Sequence, residues 1–190
     1  MSVKIVAIGD SITYGFPYSP RESWVSLAFS RLGHRAINLG ENGATTGEMR
    51  ARFASQVLVE KPTHVIIMGG TNDAFYNLPV ELVCNNIDRM CEEARAERVM
   101  PIIGLPIPVN EAPAEAWLQT YRSWLRGYAA RMNYPLLDFY TALVDPQTGW
   151  LVESCHEDGV HPSLEGYRRM AQLVLKEFNE HDFAGTFVPI

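Results

Sequence analysis

The sequence has few cysteines and no excess of positive charge. Its three cysteines are too few for a disulfide scaffold and suit a reducing compartment. Cys84 and Cys91 lie on one predicted helix, separated by a rise of about 10 Å that is too long for a bridge, so we expect both in the core. Lys and Arg number 16 against 22 Asp and Glu, a net charge of −6. This balance disfavours nucleic acid as a partner, because phosphate contacts depend on clustered Lys and Arg.

Long apolar runs and phosphate-binding motifs are also missing. No apolar run is long enough to predict a membrane span. The chain as given has no charged and apolar leader before its first strand, so we expect a cytoplasmic location. The loop after that strand has neither G-x-G-x-x-G nor G-x-x-x-x-G-K-[ST], which disfavours a nucleotide site. With 190 residues, of which 47% are hydrophobic, the chain is predicted to form one globular domain over residues 1–190.

What the sequence does contain is a regular alternation of strand and helix patterns. Short apolar runs bounded by turn residues predict five strands at Val3–Ile8, Arg35–Leu39, Thr63–Met68, Val99–Gly104 and Pro135–Phe139. Helical periodicity follows each run, over residues 22–32, from about 46, after 79, over 114–132 and after 163. Five strands alternating with five helices predict an α/β fold in which a parallel sheet is covered on both faces.

Several local features of these elements can be predicted. Thr45 and Glu48 match a capping box, so a helix should begin near Thr46 and bury Met49, Phe53 and Val57. The helix over residues 114–132 should turn its aromatic stripe inward: Trp117, Tyr121, Trp124, Leu125 and Tyr128. Residues 140–162 are predicted to be a long loop, and Ser163 should cap the last helix.

Polar residues cluster where the predicted strands end. The clusters are Asp10-Ser11, Asn42-Gly43, Asn72-Asp73, and Asp158 with His161. The carboxyl ends of parallel strands face one crevice, so we expect these side chains to converge there. Asp10, Ser11 and Thr13 could equally be turn and cap residues, and Asn72-Asp73 could be only a turn.

The residue types in these clusters suit acyl transfer. A serine hydroxyl such as that of Ser11 needs a base, and a neutral imidazole such as that of His161 titrates close to neutral pH. Asp158 could orient that ring. The oxyanion of a tetrahedral intermediate needs donors, which the backbone N–H groups of Ser11 and Gly43 and the side-chain amide of Asn72 would supply. Glycine at 43 would avoid crowding the reacting carbonyl, or it is a plain left-handed turn residue.

Two other interpretations are open at this point. A non-catalytic module that binds a small molecule or carbohydrate would have no use for a matched nucleophile, base and acid. A metal hydrolase could use Cys155, His156, Asp158 and His161, but their spacing fits no common zinc pattern and no C-x-x-C pair is present. We therefore predict no metal and no cofactor. His34, His64 and His181 are expected to have structural roles.

The joint order of these segments resembles the SGNH hydrolases, also called GDSL esterases and lipases. The matching segments are Gly9-Asp10-Ser11-Ile12-Thr13-Tyr14-Gly15, Asn38-Leu39-Gly40-Glu41-Asn42-Gly43, Gly70-Thr71-Asn72-Asp73 and Asp158-Gly159-Val160-His161-Pro162. Ile12 departs from the leucine that gives the motif its name. The pattern is not the Gly-x-Ser-x-Gly elbow of α/β-hydrolases, because Thr13 stands where the second glycine belongs.

This resemblance implies a flavodoxin-like three-layer α/β/α sandwich with a five-stranded parallel sheet, and metal-free hydrolysis of esters or thioesters. It implies Ser11 as nucleophile, His161 as base and Asp158 as orienting acid, with Ser11, Gly43 and Asn72 forming the oxyanion hole. The expected substrate is a small ester.

No large insertion could act as a lid, which favours short acyl chains such as acetyl on aryl or sugar alcohols. Eight residues near the predicted crevice could shape a pocket for the acyl or alcohol group, or could equally be loop packing: Tyr14, Phe16, Tyr18, Phe75, Tyr76, Ile107, Val109 and Val160. The apolar tail from Asp182 to Ile190 leaves room for a homodimer.

Overall fold

The computed structural model describes residues 3–180. Its strands are β1 (Lys4–Gly9), β2 (Arg35–Gly40), β3 (His64–Met68), β4 (Met100–Gly104) and β5 (Leu136–Leu137). Its α-helices are α1 (Ser11–Tyr14), α2 (Trp24–Leu32), α3 (Thr46–Ala51), α4 (Thr71–Phe75), α5 (Val80–Ala96), α6 (Ala112–Met132), α7 (Phe139–Leu143) and α8 (Leu164–Glu180).

The five strands form one sheet in the order β2-β1-β3-β4-β5, and every neighbouring pair is parallel. This is the flavodoxin-like order, in which the chain reverses its direction across the sheet between β1 and β3. The predicted α/β fold is therefore confirmed.

Alternate side chains of each strand enter two separate cores. Val6 and Ile8 of β1 pack on one face of the sheet with the helices α3, α5 and α6. Ile5 and Ala7 pack on the other face with α2, α7 and α8. Because side chains alternate along a strand, a strand that is apolar throughout is buried on both faces. The two helical layers leave the carboxyl ends of the strands as the open edge.

The predicted helix ends are confirmed where a side chain closes them. Thr45 and Glu48 form a reciprocal capping box at the start of α3. Ser163 accepts the Gly166 N–H at the start of α8, at 3.2 Å. Helix α3 is shorter than the apolar stripe suggested, because the chain continues as one π-helical turn over Phe53–Val57. Met49, Phe53 and Val57 are nevertheless buried as predicted.

Two predictions about the C-terminal half are wrong in detail. Strand β5 has two residues rather than five, since α7 already begins at Phe139. The predicted loop over 140–162 contains most of α7 and a 3₁₀ turn, Glu153–Cys155. The inward stripe of α6 is as predicted, although Trp117 and Trp124 pack against the core while only partly buried.

Cys84 and Cys91 are buried, as predicted. Cys84, Cys91 and Cys155 are free and buried. Burial raises the pKa of Cys91 to about 12, so its thiol stays protonated. Over residues 3–180, no helix is both long and apolar enough to cross a membrane.

Candidate active site

Ser11 is the first residue of α1, directly after the carboxyl end of β1. Asp10 precedes it as the N-cap, and its carboxylate accepts the Ile12 N–H at 2.9 Å. The interpretation of Asp10 as a cap is thus confirmed. The Asn38 side chain of β2 donates to the carbonyl of Thr13 at 2.7 Å. These contacts fix the short helix that carries the Ser11 hydroxyl.

The Ser11 hydroxyl meets the imidazole of His161, although 150 residues separate them along the chain. Ser11 Oγ lies 3.1 Å from His161 Nε2. On the other side of the ring, Nδ1 lies 2.7 Å from the Oδ2 atom of Asp158. A carboxylate at that distance accepts a hydrogen bond, so the ring proton belongs on Nδ1 and the Nε2 lone pair faces Ser11. The three side chains predicted as nucleophile, base and acid are therefore in one hydrogen-bonded chain.

Asp158 is held as an acceptor by its own turn. Its Oδ1 atom accepts the backbone N–H groups of Val160 at 3.0 Å and His161 at 2.7 Å. Burial works to raise the pKa of Asp158, but the hydrogen bonds from the backbone and ring of His161 outweigh it and lower the pKa below its usual value. The group is thus a carboxylate at neutral pH and can stabilise an imidazolium.

Besides Ser11, the residues predicted as oxyanion donors are Gly43 and Asn72, which follow β2 and β3 on either side of β1. Asn72 is the second residue of α4, and its Nδ2 atom donates to the carbonyl of Ala44 at 3.0 Å. This contact occupies one N–H of the amide and leaves the second free to face a ligand. Gly43 adjoins Ala44 and has a φ of 81°, with no protein atom within 4 Å of an added Cβ. Its positive φ, rather than lack of space among protein atoms, accounts for glycine there.

A buried carboxylate joins these two segments, and sequence reasoning gave it only a turn role. Asp73 accepts hydrogen bonds from the backbone of Thr46 at 3.0 Å and from its hydroxyl at 2.6 Å. Asn86 of α5 donates to that hydroxyl at 3.2 Å. Burial raises the pKa of Asp73, and the Thr46 hydrogen bonds oppose this. The link fixes the start of α3 against α4, and with it the distance between Gly43 and Asn72.

Asp10 is a second buried carboxylate, directly before Ser11 in the chain. Burial raises its pKa to about 6, the Ile12 N–H opposes the shift and the charge of Asp73 adds to it. The positive form of His161 has the opposite effect on Asp10 and lowers its pKa.

Several of the aromatic residues predicted to line the crevice lie near Ser11, His161 or Asn72. The ring of Phe16 contacts that of His161 edge-on, with 4.6 Å between centroids, and is 38% exposed. Phe75 and Tyr76 are exposed just beyond Asn72. Tyr14, Tyr18 and Val160 are partly buried. For Ile107 and Val109 the alternative of loop packing is confirmed, because both are fully buried in the apolar core.

The metal-site interpretation finds no ligand cluster. In the part of the chain that the structure describes, no three His, Cys, Asp or Glu side chains are grouped to hold a metal ion. Cys155 is buried in the apolar core, and His161 is engaged by Ser11 and Asp158. His64 is buried in β3 and His34 follows the end of α2, while His181 lies outside the described residues.

Comparisons with known proteins agree with this geometry. The model of the GDSL-like lipase/acylhydrolase family matches residues 7–169, which include every segment described above. The esterase TesA of Pseudomonas aeruginosa is 26% identical over 90% of this chain and 85% of its own. An arylesterase of Vibrio mimicus is 26% identical over 95% of this chain and 90% of its own.

A solved structure of a G-D-S-L family protein from Desulfitobacterium hafniense superposes with a TM-score of 0.87. It is 32% identical and covers 93% of this chain and 99% of its own. Because the family model matches most of the chain, the chain belongs to the GDSL-like lipase/acylhydrolase family and is a GDSL-type ester hydrolase.

Proposed function

We propose that this chain cleaves carboxylic esters through an acyl-enzyme on Ser11. The observation that supports this best is the unbroken chain of contacts from Ser11 Oγ through the His161 ring to Asp158, at 3.1 and 2.7 Å. His161 Nε2 takes the Ser11 proton as Oγ bonds to the carbonyl carbon. His161 then gives that proton to the leaving alcohol as the ester C–O bond breaks. In the second half of the reaction, His161 takes a proton from water as the water oxygen bonds to the acyl carbon. The bond to Ser11 Oγ then breaks, Oγ receives the proton and the carboxylic acid leaves.

The oxyanion of each tetrahedral intermediate is held by the backbone N–H groups of Ser11 and Gly43 and the amide of Asn72. Three facts support this assignment: Ser11 N begins a helix, the conformation of Gly43 is that of a turn, and Asn72 retains a free amide N–H. Donors placed in advance of the reaction stabilise the charge without reorganisation. Asp158 keeps the His161 ring in the tautomer that the reaction needs.

We propose short acyl esters as the substrate class, with aryl or sugar alcohols as leaving groups and thioesters as a further option. The leaving group must lie beside His161, which protonates it, and there it meets the exposed ring of Phe16. The relative named arylesterase is in keeping with such a leaving group. Among residues 3–180, no insertion of the size of a lid lies near the crevice to cover a long acyl group.

A direct test pairs Ser11→Ala with an exposed serine control. Ser11→Ala should lower kcat on p-nitrophenyl acetate by about 10⁴-fold or more, since it removes the nucleophile. Ser30→Ala removes a hydroxyl that contacts only the Ser26 carbonyl, and it should behave as wild type. A fluorophosphonate probe should add its mass to the peptide that contains Ser11. Near-normal turnover by Ser11→Ala would refute the mechanism, and a folded protein that the probe cannot label would favour a binding module instead.

The chain length of the acyl group is the next quantity to measure. A series of p-nitrophenyl esters from acetate to decanoate, run beside acetylated sugars, should show kcat/KM falling as the acyl chain grows. The organisation as one domain over 1–190, the cytoplasmic location and the homodimer are further proposals, and cell fractionation and sedimentation address the last two.

A further inference from the structure

A second histidine lies in the turn that carries the acid and base, and the proposed chemistry does not use it. His156 is five residues before His161, and its side chain is 12% exposed. Its Nδ1 atom accepts the backbone N–H of Gly159 at 2.9 Å. Gly159 directly follows Asp158 in the short turn to His161, so this ring holds the middle of the turn.

Asn110 holds the same glycine from the opposite side. Its backbone N–H donates to the Gly159 carbonyl at 2.7 Å. Its side chain accepts the Leu151 N–H at 2.8 Å. Its Nδ2 lies 3.1 Å from His156 Nε2, but a ring that accepts at Nδ1 carries its proton on Nε2, so this contact joins two donors and is not a hydrogen bond. Both backbone groups of Gly159 are thus engaged. A Cβ at position 159 would lie 3.2 Å from the Asn110 Cβ, with φ at 84°, so a glycine is required between them.

The support reaches back into the core of the molecule. Asn110 ends the segment after β4, and that segment is held by a buried pair on α6. Glu115 accepts the Val109 N–H at 3.0 Å, and Arg122 donates to the Ile107 carbonyl at 3.1 Å. Arg122 also contacts the Glu115 carboxylate. The position of Gly159 is therefore fixed by rigid, buried structure.

The acid needs such external support. The side chain of Asp158 is 51% exposed, so water competes for its hydrogen bonds. Besides the hydrogen bonds of the Asp158 carboxylate, one backbone hydrogen bond closes the turn locally: the Glu157 N–H donates to the His161 carbonyl at 2.9 Å. Misplacing a reacting group by 1 Å can lower the rate about 100-fold. The groups that hold Gly159 therefore bear on the alignment of the His161 ring with Ser11.

We propose that His156, supported by Asn110, is a positioning residue for the acid–base pair. It accepts the Gly159 N–H and so fixes the turn in the conformation that aims His161 Nε2 at Ser11. His156 itself touches neither substrate nor the reacting atoms. This proposal rests on the proposed esterase function of the same site.

Substituting His156 by asparagine or by glutamine tests the roles of Nδ1 and Nε2 separately. The Oδ1 atom of an asparagine occupies nearly the place of Nδ1, whereas the terminal amide of a glutamine lies nearer that of Nε2. His156→Asn should keep the Gly159 bond and retain kcat within about twofold. His156→Gln and His156→Leu should lower kcat about 10- to 100-fold, because misalignment of the base costs rate rather than binding. KM for p-nitrophenyl acetate should stay unchanged in all three.

A second readout follows activation of the nucleophile directly. The rate at which a small fluorophosphonate labels Ser11 should fall in parallel with kcat in His156→Gln and His156→Leu, and recover in His156→Asn. Thermal unfolding is measured on each variant. Where His156→Leu does not fold, Asn110→Ala replaces it, because Asn110 is exposed and its side chain accepts the Leu151 N–H, which helps to fix the segment whose backbone holds Gly159. Asn110→Ala should lower kcat several-fold at constant KM.

The outcomes separate this proposal from the function on which it rests. The positioning role is overturned if His156→Gln or His156→Leu has wild-type kcat. Where Asn110→Ala replaces His156→Leu, wild-type kcat in Asn110→Ala overturns it. Equal losses in all three His156 variants, together with a lowered Tm, overturn it as well, because they assign the ring to packing alone. If Ser11→Ala retains turnover, the esterase mechanism itself fails. Loss of activity in Ser11→Ala with unaffected His156 variants leaves the mechanism and removes only this proposal.

Discussion

At the scale of single residues, the site contains two kinds of carboxylate. Asp158 is exposed and paired, and its hydrogen bonds with His161 lower its pKa. Asp10 and Asp73 are buried next to Ser11 and Asn72, two of the proposed oxyanion donors, and burial raises the pKa of both. The exposed group is suited to balance a positive imidazole, whereas the buried groups hold backbone in place. Environment, rather than residue type, decides which task each carboxylate can perform.

Asp10 should make stability depend on pH. Its pKa is about 6 in the folded chain and near 3.8 in the unfolded chain, so between these values the unfolded state releases the proton first. Stability is therefore lost as pH rises from about 4 to 6, by about 3 kcal/mol for a shift of about two units. Asp10→Asn keeps the acceptor for Ile12 N–H and removes the charge. Its stability relative to wild type should rise over that pH range and then stay level.

Urea denaturation at pH 4, 5, 6 and 7 measures this difference. Glu97→Gln, at the exposed end of α5, controls for the loss of one negative charge. A constant offset between Asp10→Asn and wild type from pH 4 to 7 would contradict the expectation.

Asn72 should matter to the transition state more than to binding. Asn72→Ala removes the amide that we propose as an oxyanion donor, and such a loss costs about 3–4 kcal/mol. We expect kcat to fall about 100- to 1000-fold with little change in KM. Steady-state kinetics on an aryl acetate checks this, with Asn179→Ala at the exposed end of α8 as the control. A rise in KM at constant kcat would reduce Asn72 to a substrate-positioning role.

At the scale of elements, α6 differs most from its expected role. Its periodicity predicted an inner face of aromatic and aliphatic residues, yet Glu115 and Arg122 lie on that face and are buried. Arg122 also lies over the ring of Tyr140, 4.2 Å from its centroid. A charged pair in an amphipathic helix is normally assigned to the solvent side, so periodicity alone places it wrongly. The pair is buried because it satisfies backbone groups of the segment between β4 and α6, at Val109 and Ile107.

Breaking the buried Glu115–Arg122 pair should destabilise the fold far more than breaking a half-exposed pair on the same helix. Arg122→Met leaves the Glu115 carboxylate buried without its cation, and it should lower the free energy of unfolding by about 3–5 kcal/mol. Arg126→Met, one turn further along α6, breaks a half-exposed pair with Asp138 and should cost about 1 kcal/mol or less. Urea denaturation of both variants measures the contrast. Equal costs would show that burial of the first pair is unimportant.

At the scale of the whole molecule, the sequence was sufficient for the architecture and for the order of the site. The β-branched runs of β1 and β3 predicted their strands, and the polar residues after them predicted the crevice. The roles of Ser11, Asp158 and His161 came from the joint order of their segments and from the family resemblance. Their contact distances, which only the structure supplies, agree with those roles and leave them to be tested.

What sequence could not predict are contacts between side chains that lie far apart along the chain. Asp73 binds Thr46, 27 residues away, and Asn110 meets His156, 46 residues away. Neither pair belongs to a local pattern with a helical or strand period. Strand β5 was overestimated because the apolar run from Pro135 to Phe139 also supplies the start of α7.

The separation of 150 residues between Ser11 and His161 has a consequence for biosynthesis. Translation makes Ser11 before the segment that carries His161. On the proposed mechanism, the Ser11 hydroxyl stays an ordinary alcohol until that segment has been made and has folded against the end of β1. Ester hydrolysis by a nascent chain should therefore begin only after this folding step.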